Sequence, residues 1–333
     1  MKTLPNAHTA PGLVDLQLNG YAGFDFNGDP RRWTLDQLHE LRARLCRRGV
    51  SVVFPTLVTD DAALMVARAK RYAELVDTDE RIAALMPKLH IEGPFISSVD
   101  GPRGAHPKRY VTVPEAIPDL FDRLMDASGG RIGVWTLAPE LPGAIELIRR
   151  LRGAGVVVAL GHCQPSHEII AEAVEAGARL STHLGNGSHQ MLPRLDNYVY
   201  RQLAEDRLAA SLVADGHHMP LTTLKNFVRA KTPARSILVT DAIHAAEMPP
   251  GRYDFGGRTV EIRPDGHCSH PGEWNLAGSV LTLDRAVINT FLHCDVTFEQ
   301  AWAMASTQPA ELTGLKPPAS VTVAVSADGF AAR

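Results

Sequence analysis

Residues 89–97 read LHIEGPFIS, a short apolar run that carries His90 and Glu92 and stops at Gly93 and Pro94. A run of this length bounded by turn residues is typical of a buried strand rather than of a helix. In a sheet of parallel strands, functional side chains stand where the strands end. Glu92 therefore marks a functional edge of the predicted sheet.

The same pattern recurs along the chain, and most of the runs are followed by a segment with helical spacing. Eight strands and their crossover helices predict a closed (β/α)8 TIM barrel of the α/β class. A doubly wound open sheet is the competing fold, but no glycine-rich phosphate turn follows the first strand. The predicted strands are residues 13–19, 50–55, 85–91, 132–138, 156–160, 179–183, 209–214 and 236–240.

Residues 249–276 interrupt this alternation and are rich in glycine, which predicts hairpins in an excursion after the eighth strand. Two more helices are expected at 281–293 and 298–312, and a β-like tail at 320–325. The named helices before them are residues 35–48, 60–76, 142–152, 167–176 and 221–230.

Composition excludes several classes of protein. The 333 residues carry a net charge of −3, which offers no basic face for nucleic acid or an anionic membrane. No stretch approaches the roughly 18 to 20 apolar residues of a membrane span, and the first residues contain no signal core. The four cysteines are scattered, which argues against a disulfide framework and a cysteine zinc site. We therefore expect a cytoplasmic protein with a small-molecule partner.

Histidine and acidic residues collect at the predicted strand ends. One carboxylate and two imidazoles from three strands can hold a divalent ion and leave a position open, and Glu92, His162 and His183 fit that requirement. Asp241 ends the eighth strand, where it can take a proton from an attacking water and pass it to a leaving amine. Taken singly, each histidine is more often structural; together the groups favour a metal site. His90 is interpreted as a residue that supports Glu92 and is not counted among the predicted site residues.

Seven motifs occur in an order that resembles the N-acetylglucosamine-6-phosphate deacetylases of the amidohydrolase superfamily. Any one of them alone is weak, whereas the ordered set is specific. They are PGLVDLQLNG (11–20), LHIEGPFIS (89–97), GHCQPS (161–166), STHLGNG (181–187), ADGHH (214–218), LVTDA (238–242) and NLAGS (275–279).

The resemblance implies a reaction, a cofactor and a set of site residues. The reaction is removal of the N-acetyl group from N-acetylglucosamine 6-phosphate, with Asp241 as acid/base and His106 polarising the acyl carbonyl. Gln17 and Asn19 stand where many amidohydrolases carry two histidine ligands, so one divalent ion per subunit is implied, zinc first and iron, cobalt or manganese as alternatives. The implied substrate-binding residues are Ala105, Asn186, Gly187, Arg194, His218, Leu276, Ala277 and Gly278.

The chain also departs from the family pattern. The run HLGNGSHQML changes the pocket near Gly185, Gly187 and Ser188. We expect the barrel at 11–314, with 1–10 and 315–333 as the remnant of a small β domain. A homodimer is implied, in which a neighbouring subunit completes the phosphate site around Arg194. The alternatives are an amidohydrolase acting on another N-acyl sugar or a cyclic amide, and a non-catalytic sugar-phosphate-binding barrel.

Overall fold

The computed structural model describes residues 2–255, 258–272 and 276–332. Its strands are β1 Ala7–Pro11, β2 Leu13–Leu18, β3 Gly20–Tyr21, β4 Phe24–Asp25, β5 Val50–Val58, β6 Leu89–Glu92, β7 Ile132–Leu137, β8 Val157–Leu160, β9 Ala178–Ser181, β10 Ala209–Leu212, β11 Ser236–Leu238, β12 Gly251–Phe255, β13 Arg258–Ile262, β14 Cys268–Ser269, β15 Ser320–Ser326 and β16 Gly329–Ala332. Its helices are α1 Leu35–Arg47, α2 Ala62–Thr78, α3 Glu80–Leu85, α4 Leu120–Ala127, α5 Ala144–Gly153, α6 His167–Ala176, α7 Tyr198–Ala204, α8 Leu221–Lys231, α9 Leu283–His293, α10 Phe298–Ala303 and α11 Thr307–Leu312.

Eight parallel strands form the barrel in the order β11-β10-β9-β8-β7-β6-β5-β2. The two edges of this sheet meet where β2 ends: Leu18 bridges Ala242 in parallel, and the amide of Asp241 donates to the carbonyl of Gln17 over 3.0 Å. All residues of β2 and of β7 are buried, as expected of parallel strands covered on both faces. The predicted (β/α)8 barrel is confirmed.

One predicted strand begins too early. The strand proposed at 85–91 is β6 at Leu89–Glu92, because Leu85 ends α3 instead. The carboxylate of Asp79 accepts hydrogen bonds from the amides of Arg81 and Ile82, and this N-cap starts the helix that takes up Leu85. Short α3 and α4 were not among the named helices.

The helix proposed at 298–312 is also wrong as a single element, since α10 and α11 are separated at residues 304–306. Pro309 has no amide hydrogen, and its ring would collide with the carbonyl of Ala305 in a continuous helix. Ser306 lies at the break, where its hydroxyl contacts the carbonyls of Pro11 and Gly12. The break thus contacts the residues that lead from β1 into β2, the first barrel strand.

The excursion contains a small antiparallel sheet, β12-β13-β14. Residues 256–257 and 273–275, including Asn275 of the last motif, lie outside the described residues. A separate apolar cluster holds the sheet against the segment that follows β11; it consists of Ile243, Ala245, Val260, Ile262 and Cys268. The excursion therefore packs directly over the carboxyl end of the barrel.

The two ends of the chain form a second sheet, β1-β15-β16, all antiparallel. It packs on α10, where the rings of Trp302 and Phe330 stack with centroids 5.3 Å apart. This is the small β subdomain beside the barrel, and its residue limits at 10/11 and 314/315 stay a prediction. None of the helices in the described part of the chain is long and apolar enough to cross a membrane.

Candidate metal and active site

The predicted site residues follow four barrel strands at the same end of the barrel. Glu92 is the last residue of β6, while His162, His183 and Asp241 follow the ends of β8, β9 and β11. The last three adopt left-handed backbone conformations, with φ of 52°, 28° and 49°. Such values are uncommon outside glycine and concentrate at functional sites. The turn after each strand therefore directs these side chains toward the barrel axis.

Glu92, His162 and His183 converge on a single point. The Oε1 atom of Glu92 lies 3.1 Å from Nε2 of His162 and 3.0 Å from Nε2 of His183. The two Nε2 atoms are 3.1 Å apart. Three ligands at ordinary zinc distances in a tetrahedron stand about 3.3 Å from one another. The donor set therefore fits one small divalent ion.

His106 forms a second triad with two of these residues, because ligand atoms of Glu92, His106 and His162 lie within 4.8 Å of one another. Its Nε2 atom is 3.2 Å from Nε2 of His162. His183 Nε2 lies directly against Glu92 Oε1 and its residue follows a barrel strand, whereas His106 comes from the loop after β6.

The outer contacts of the ligands suit metal binding. Nδ1 of His162 donates to the carbonyl of Pro102 over 2.9 Å, which leaves the lone pair of Nε2 for the site. Gly187 lies against the same ring: a Cβ there would be 2.6 Å from His162 Nδ1, and its φ of 58° also favours glycine. Within the unusual run at 185–188, Gly187 thus packs tightly on His162.

Burial by itself would raise the pKa of Glu92, but the adjacent imidazoles of His162 and His183 outweigh it and hold that pKa well below its ordinary value. Burial also lowers the pKa of His183, and Glu92 reverses the direction through its hydrogen bond and charge. The carboxylate is therefore ionised at neutral pH and attracts positive charge to the site.

Asp241 is held by two amides. Nε2 of Gln17 donates to Asp241 Oδ1 over 3.1 Å and to Glu92 Oε1 over 3.0 Å. Nδ2 of Asn19 donates to the same Oδ1 over 2.7 Å. Burial, followed by the charge of Glu92, raises the pKa of Asp241. Sequence reasoning considered Gln17 and Asn19 only as missing ligands, and no local signal in the chain reveals that Gln17 bridges the two carboxylates or that Asn19 binds Asp241.

The site opens into a cavity of about 1100 Å³. Most of the predicted substrate-binding residues line it: Ala105, Asn186, Gly187, His218, Leu276, Ala277 and Gly278. Arg194 does not; it is exposed on the loop that carries the exposed side chains of Met191 and Leu195.

Several lining residues were not predicted, among them Asp25, Arg109, His217 and Arg263. His267 lines the cavity as well. His217 had a signal in the ADGHH motif, whereas Arg263 lies in the irregular excursion and had none. His90 lies beneath the site, with Nδ1 3.0 Å from the carbonyl of Leu16 and Nε2 2.7 Å from the hydroxyl of Thr136.

Known proteins are similar to this chain over most of its length. The chain is 31% identical over 322 residues to the N-acetylglucosamine-6-phosphate deacetylase of Lysinibacillus sphaericus, covering 96% of this chain and 79% of the relative. It is 32% identical over 309 residues to an N-acetylgalactosamine-6-phosphate deacetylase of Escherichia coli, covering 92% of this chain and 78% of the relative. No protein-family model matches the chain.

The comparison with solved structures points to the same group of enzymes. A variant of the Mycobacterium smegmatis N-acetyl-D-glucosamine-6-phosphate deacetylase, solved in complex with N-acetyl-D-glucosamine-6-phosphate, superposes with a TM-score of 0.85 and 26% identity. The match covers 97% of this chain and 84% of that structure. A barrel with a candidate metal site at its strand ends and relatives this similar over most of their length lead to one conclusion: the chain belongs to the N-acetylglucosamine-6-phosphate deacetylase family of the amidohydrolase superfamily.

Proposed function

We propose that this protein is a metal-dependent hydrolase that removes the acetyl group from N-acetylglucosamine 6-phosphate, giving glucosamine 6-phosphate and acetate. The observation that carries the proposal is the convergence of Glu92, His162, His183 and Asp241 at the floor of a cavity large enough for a sugar phosphate. Membership in the deacetylase family supports the substrate class.

Glu92, His162 and His183 would hold one divalent ion. When bound, the ion would polarise the acetyl carbonyl and make the attacking water more acidic. Zinc suits a site of one carboxylate and two imidazoles, and iron, cobalt and manganese suit it as well, since availability often decides among them. A second ion has little space near Gln17, because its side-chain amide already bridges Glu92 and Asp241.

Asp241 would act as general base and then as general acid. Gln17 and Asn19 both bind its Oδ1 atom, so Oδ2 is the oxygen left to take the proton from the attacking water. The same oxygen would then give that proton to the departing amine. The raised pKa of Asp241, caused by burial and then by Glu92, suits a group that must both accept and return a proton.

His106 would donate a hydrogen bond to the acetyl oxygen. Burial and the neighbouring His162 lower the pKa of His106 to about 3, so the ring is neutral and carries one N–H. A neutral donor fixed beside the ligand set stabilises negative charge that develops on the oxygen.

The non-reacting part of the sugar would be oriented by Ala105, Asn186, Gly187, His218 and the segment 276–278. Arg194 enters the proposal only through a homodimer, since within one chain it is exposed outside the cavity. Exposed Met191 and Leu195 on the same loop support such a contact. A cytoplasmic location is also part of the proposal.

The deciding experiment measures acetate release by metal-loaded protein from N-acetylglucosamine 6-phosphate, with a chelated sample as control. N-Acetylglucosamine and the galactosamine and mannosamine phosphates are tested beside it. The galactosamine compound is the second candidate substrate, because its deacetylase from Escherichia coli is as similar to this chain as the glucosamine enzymes are. Metal-loaded protein that releases no acetate from any of these sugars would disprove the proposed reaction.

A further inference from the structure

We propose that Arg263, carried by the excursion after the eighth strand, binds the phosphate group of the substrate within the same subunit. The inference rests on the proposed reaction with a phosphorylated sugar and assigns its phosphate contact to a residue of this chain's own cavity.

The charges that line the cavity require such a residue. Among the described residues, its walls carry five carboxylates, Asp25, Asp60, Glu92, Asp241 and Asp265, and two guanidinium groups, Arg109 and Arg263. A divalent ion would offset only part of this negative charge. A phosphate group of charge about −1.5 to −2 therefore needs a local cation to enter.

The two arginines lie in different surroundings. Arg109 follows the third barrel strand, and the neighbouring loops after the first two strands supply the carboxylates of Asp25 and Asp60. Its guanidinium lies over the ring of Tyr110, with 4.7 Å to the ring centroid. The carboxylates of Asp25 and Asp60 therefore disfavour an anion in the part of the cavity near Arg109.

Arg263 lines the cavity beside the loop after the seventh strand, which supplies His217 and His218. Within the described residues, the side chain of Arg263 forms no ion pair, and it is half-buried. The nearby carboxylates already have partners: Asp265 accepts a hydrogen bond from the amide of His267 over 3.0 Å, and Asp215, in the loop of His217, accepts hydrogen bonds from the amides of His217 and His218 over 2.8 Å each. A guanidinium with free donors suits a phosphate group, since its fork can bind two oxygens.

The backbone of Arg263 is fixed in place. Ile262, directly before it, is buried in the apolar cluster that includes Ile243 and Ala245. A tight turn follows, in which the amide of Gly266 donates to the carbonyl of Arg263 over 2.9 Å. Nε2 of His217 donates to the carbonyl of Asp265 over 3.0 Å and joins this turn to the loop after the seventh strand. His217 is therefore a positioning residue for Arg263.

The test compares Arg263→Ala, Arg263→Lys and the control Arg252→Ala. Arg252 lies on the neighbouring strand β12, pairs with Glu261 at 3.2 Å and does not line the cavity. We expect Arg263→Ala to raise KM for the phosphorylated sugar about 10- to 100-fold with kcat nearly unchanged, the effect of losing a hydrogen-bonded charge pair. Unphosphorylated N-acetylglucosamine should be hydrolysed as by the unmodified protein, and the lysine variant should recover part of the loss.

Binding is measured in parallel by calorimetry, with glucosamine 6-phosphate and glucosamine as probes. The binding measurement separates the two proposals. If the protein binds glucosamine 6-phosphate but releases no acetate, the proposed reaction is wrong, and the affinities of the Arg263 variants still decide whether Arg263 binds the phosphate group. The assignment is overturned when Arg263→Ala binds glucosamine 6-phosphate as tightly as the unmodified protein, or when the protein does not bind it. The assignment is also overturned if Arg263→Ala loses as much affinity for glucosamine as for glucosamine 6-phosphate. It is likewise overturned if only Arg109→Ala or Arg194→Ala loses affinity for glucosamine 6-phosphate.

The positioning role of His217 has its own readout. His217→Ala should raise KM for the phosphorylated sugar alone, and His217→Gln, whose amide can still donate to the carbonyl of Asp265, should restore much of it. A change in kcat with both sugars would contradict a role through Arg263.

Discussion

The side-chain amide of Gln17 lies 3.1 Å from the carboxylate of Asp241, although 224 positions separate the two residues in the chain. The first and the last barrel strands meet here, so this hydrogen bond crosses the seam of the closed barrel. The proposed base is therefore oriented by barrel closure itself.

Replacing Asp241 tests the proposed base. Asp241→Asn keeps the shape of the side chain but cannot take a proton from water, and we expect kcat to fall by about 10²- to 10⁴-fold. Metal content, measured by elemental analysis, should match that of the unmodified protein. Normal turnover by the variant would show that another group is the base.

Removing the amide of Gln17 tests its orienting role. Gln17→Leu keeps the volume but leaves two buried carboxylates without a shared donor, and bonds to charged groups contribute about 1.5 to 3 kcal/mol each. We expect lower kcat and a lower free energy of unfolding, measured by steady-state kinetics and denaturant titration. Asn27→Leu is the comparison variant, because it removes a cavity-lining amide whose hydrogen bonds go to the backbone of Thr56 and Val58. Unchanged kcat in Gln17→Leu would mean that Asp241 is oriented without it.

The choice between His183 and His106 as third ligand can be decided by metal content. After dialysis, His183→Ala should lose the bound ion, whereas His106→Ala should keep it and lose turnover. Added metal should raise the melting temperature of His106→Ala and leave that of His183→Ala unchanged, because a ligand stabilises only a fold that binds it. The reverse pattern would make His106 the ligand.

Asp15 should make stability depend on pH. Burial raises its pKa to about 7, against the opposing hydrogen bond from Thr240. The folded state therefore binds the proton more tightly than the unfolded state, whose group titrates near 3.8. Its contribution is complete below pH about 4 and is lost as pH rises through about 7, by roughly 4 kcal/mol at most.

Denaturant unfolding of Asp15→Asn and the unmodified protein between pH 4.5 and pH 8 isolates this effect. We expect the difference in free energy of unfolding to move in favour of Asp15→Asn up to pH about 7 and then to level off. A constant difference across this range would show that Asp15 titrates alike in both states.

Local sequence patterns were enough to predict the barrel strands and most of the candidate site residues. Short apolar runs ending in Glu92, His162, His183 and Asp241 predict both parallel strands and the edge at which those side chains meet, because strand periodicity and strand ends are properties of neighbouring residues. The wrong strand start and the undivided helix had causes that hydrophobic periodicity does not show. The N-cap at Asp79 moved one strand start, and Pro309 divided one helix.

By itself, then, the sequence determined a parallel barrel and the residue types at its functional end. The tertiary structure decided which groups share the site: Gln17 reaches Asp241 across the seam, His106 lies beside Glu92 and His162, Arg194 lies outside the cavity and Arg263 lines it. These pairings join segments far apart in the chain, and no local periodicity encodes them. They follow only from the closure of the barrel and from the packing of the excursion over it.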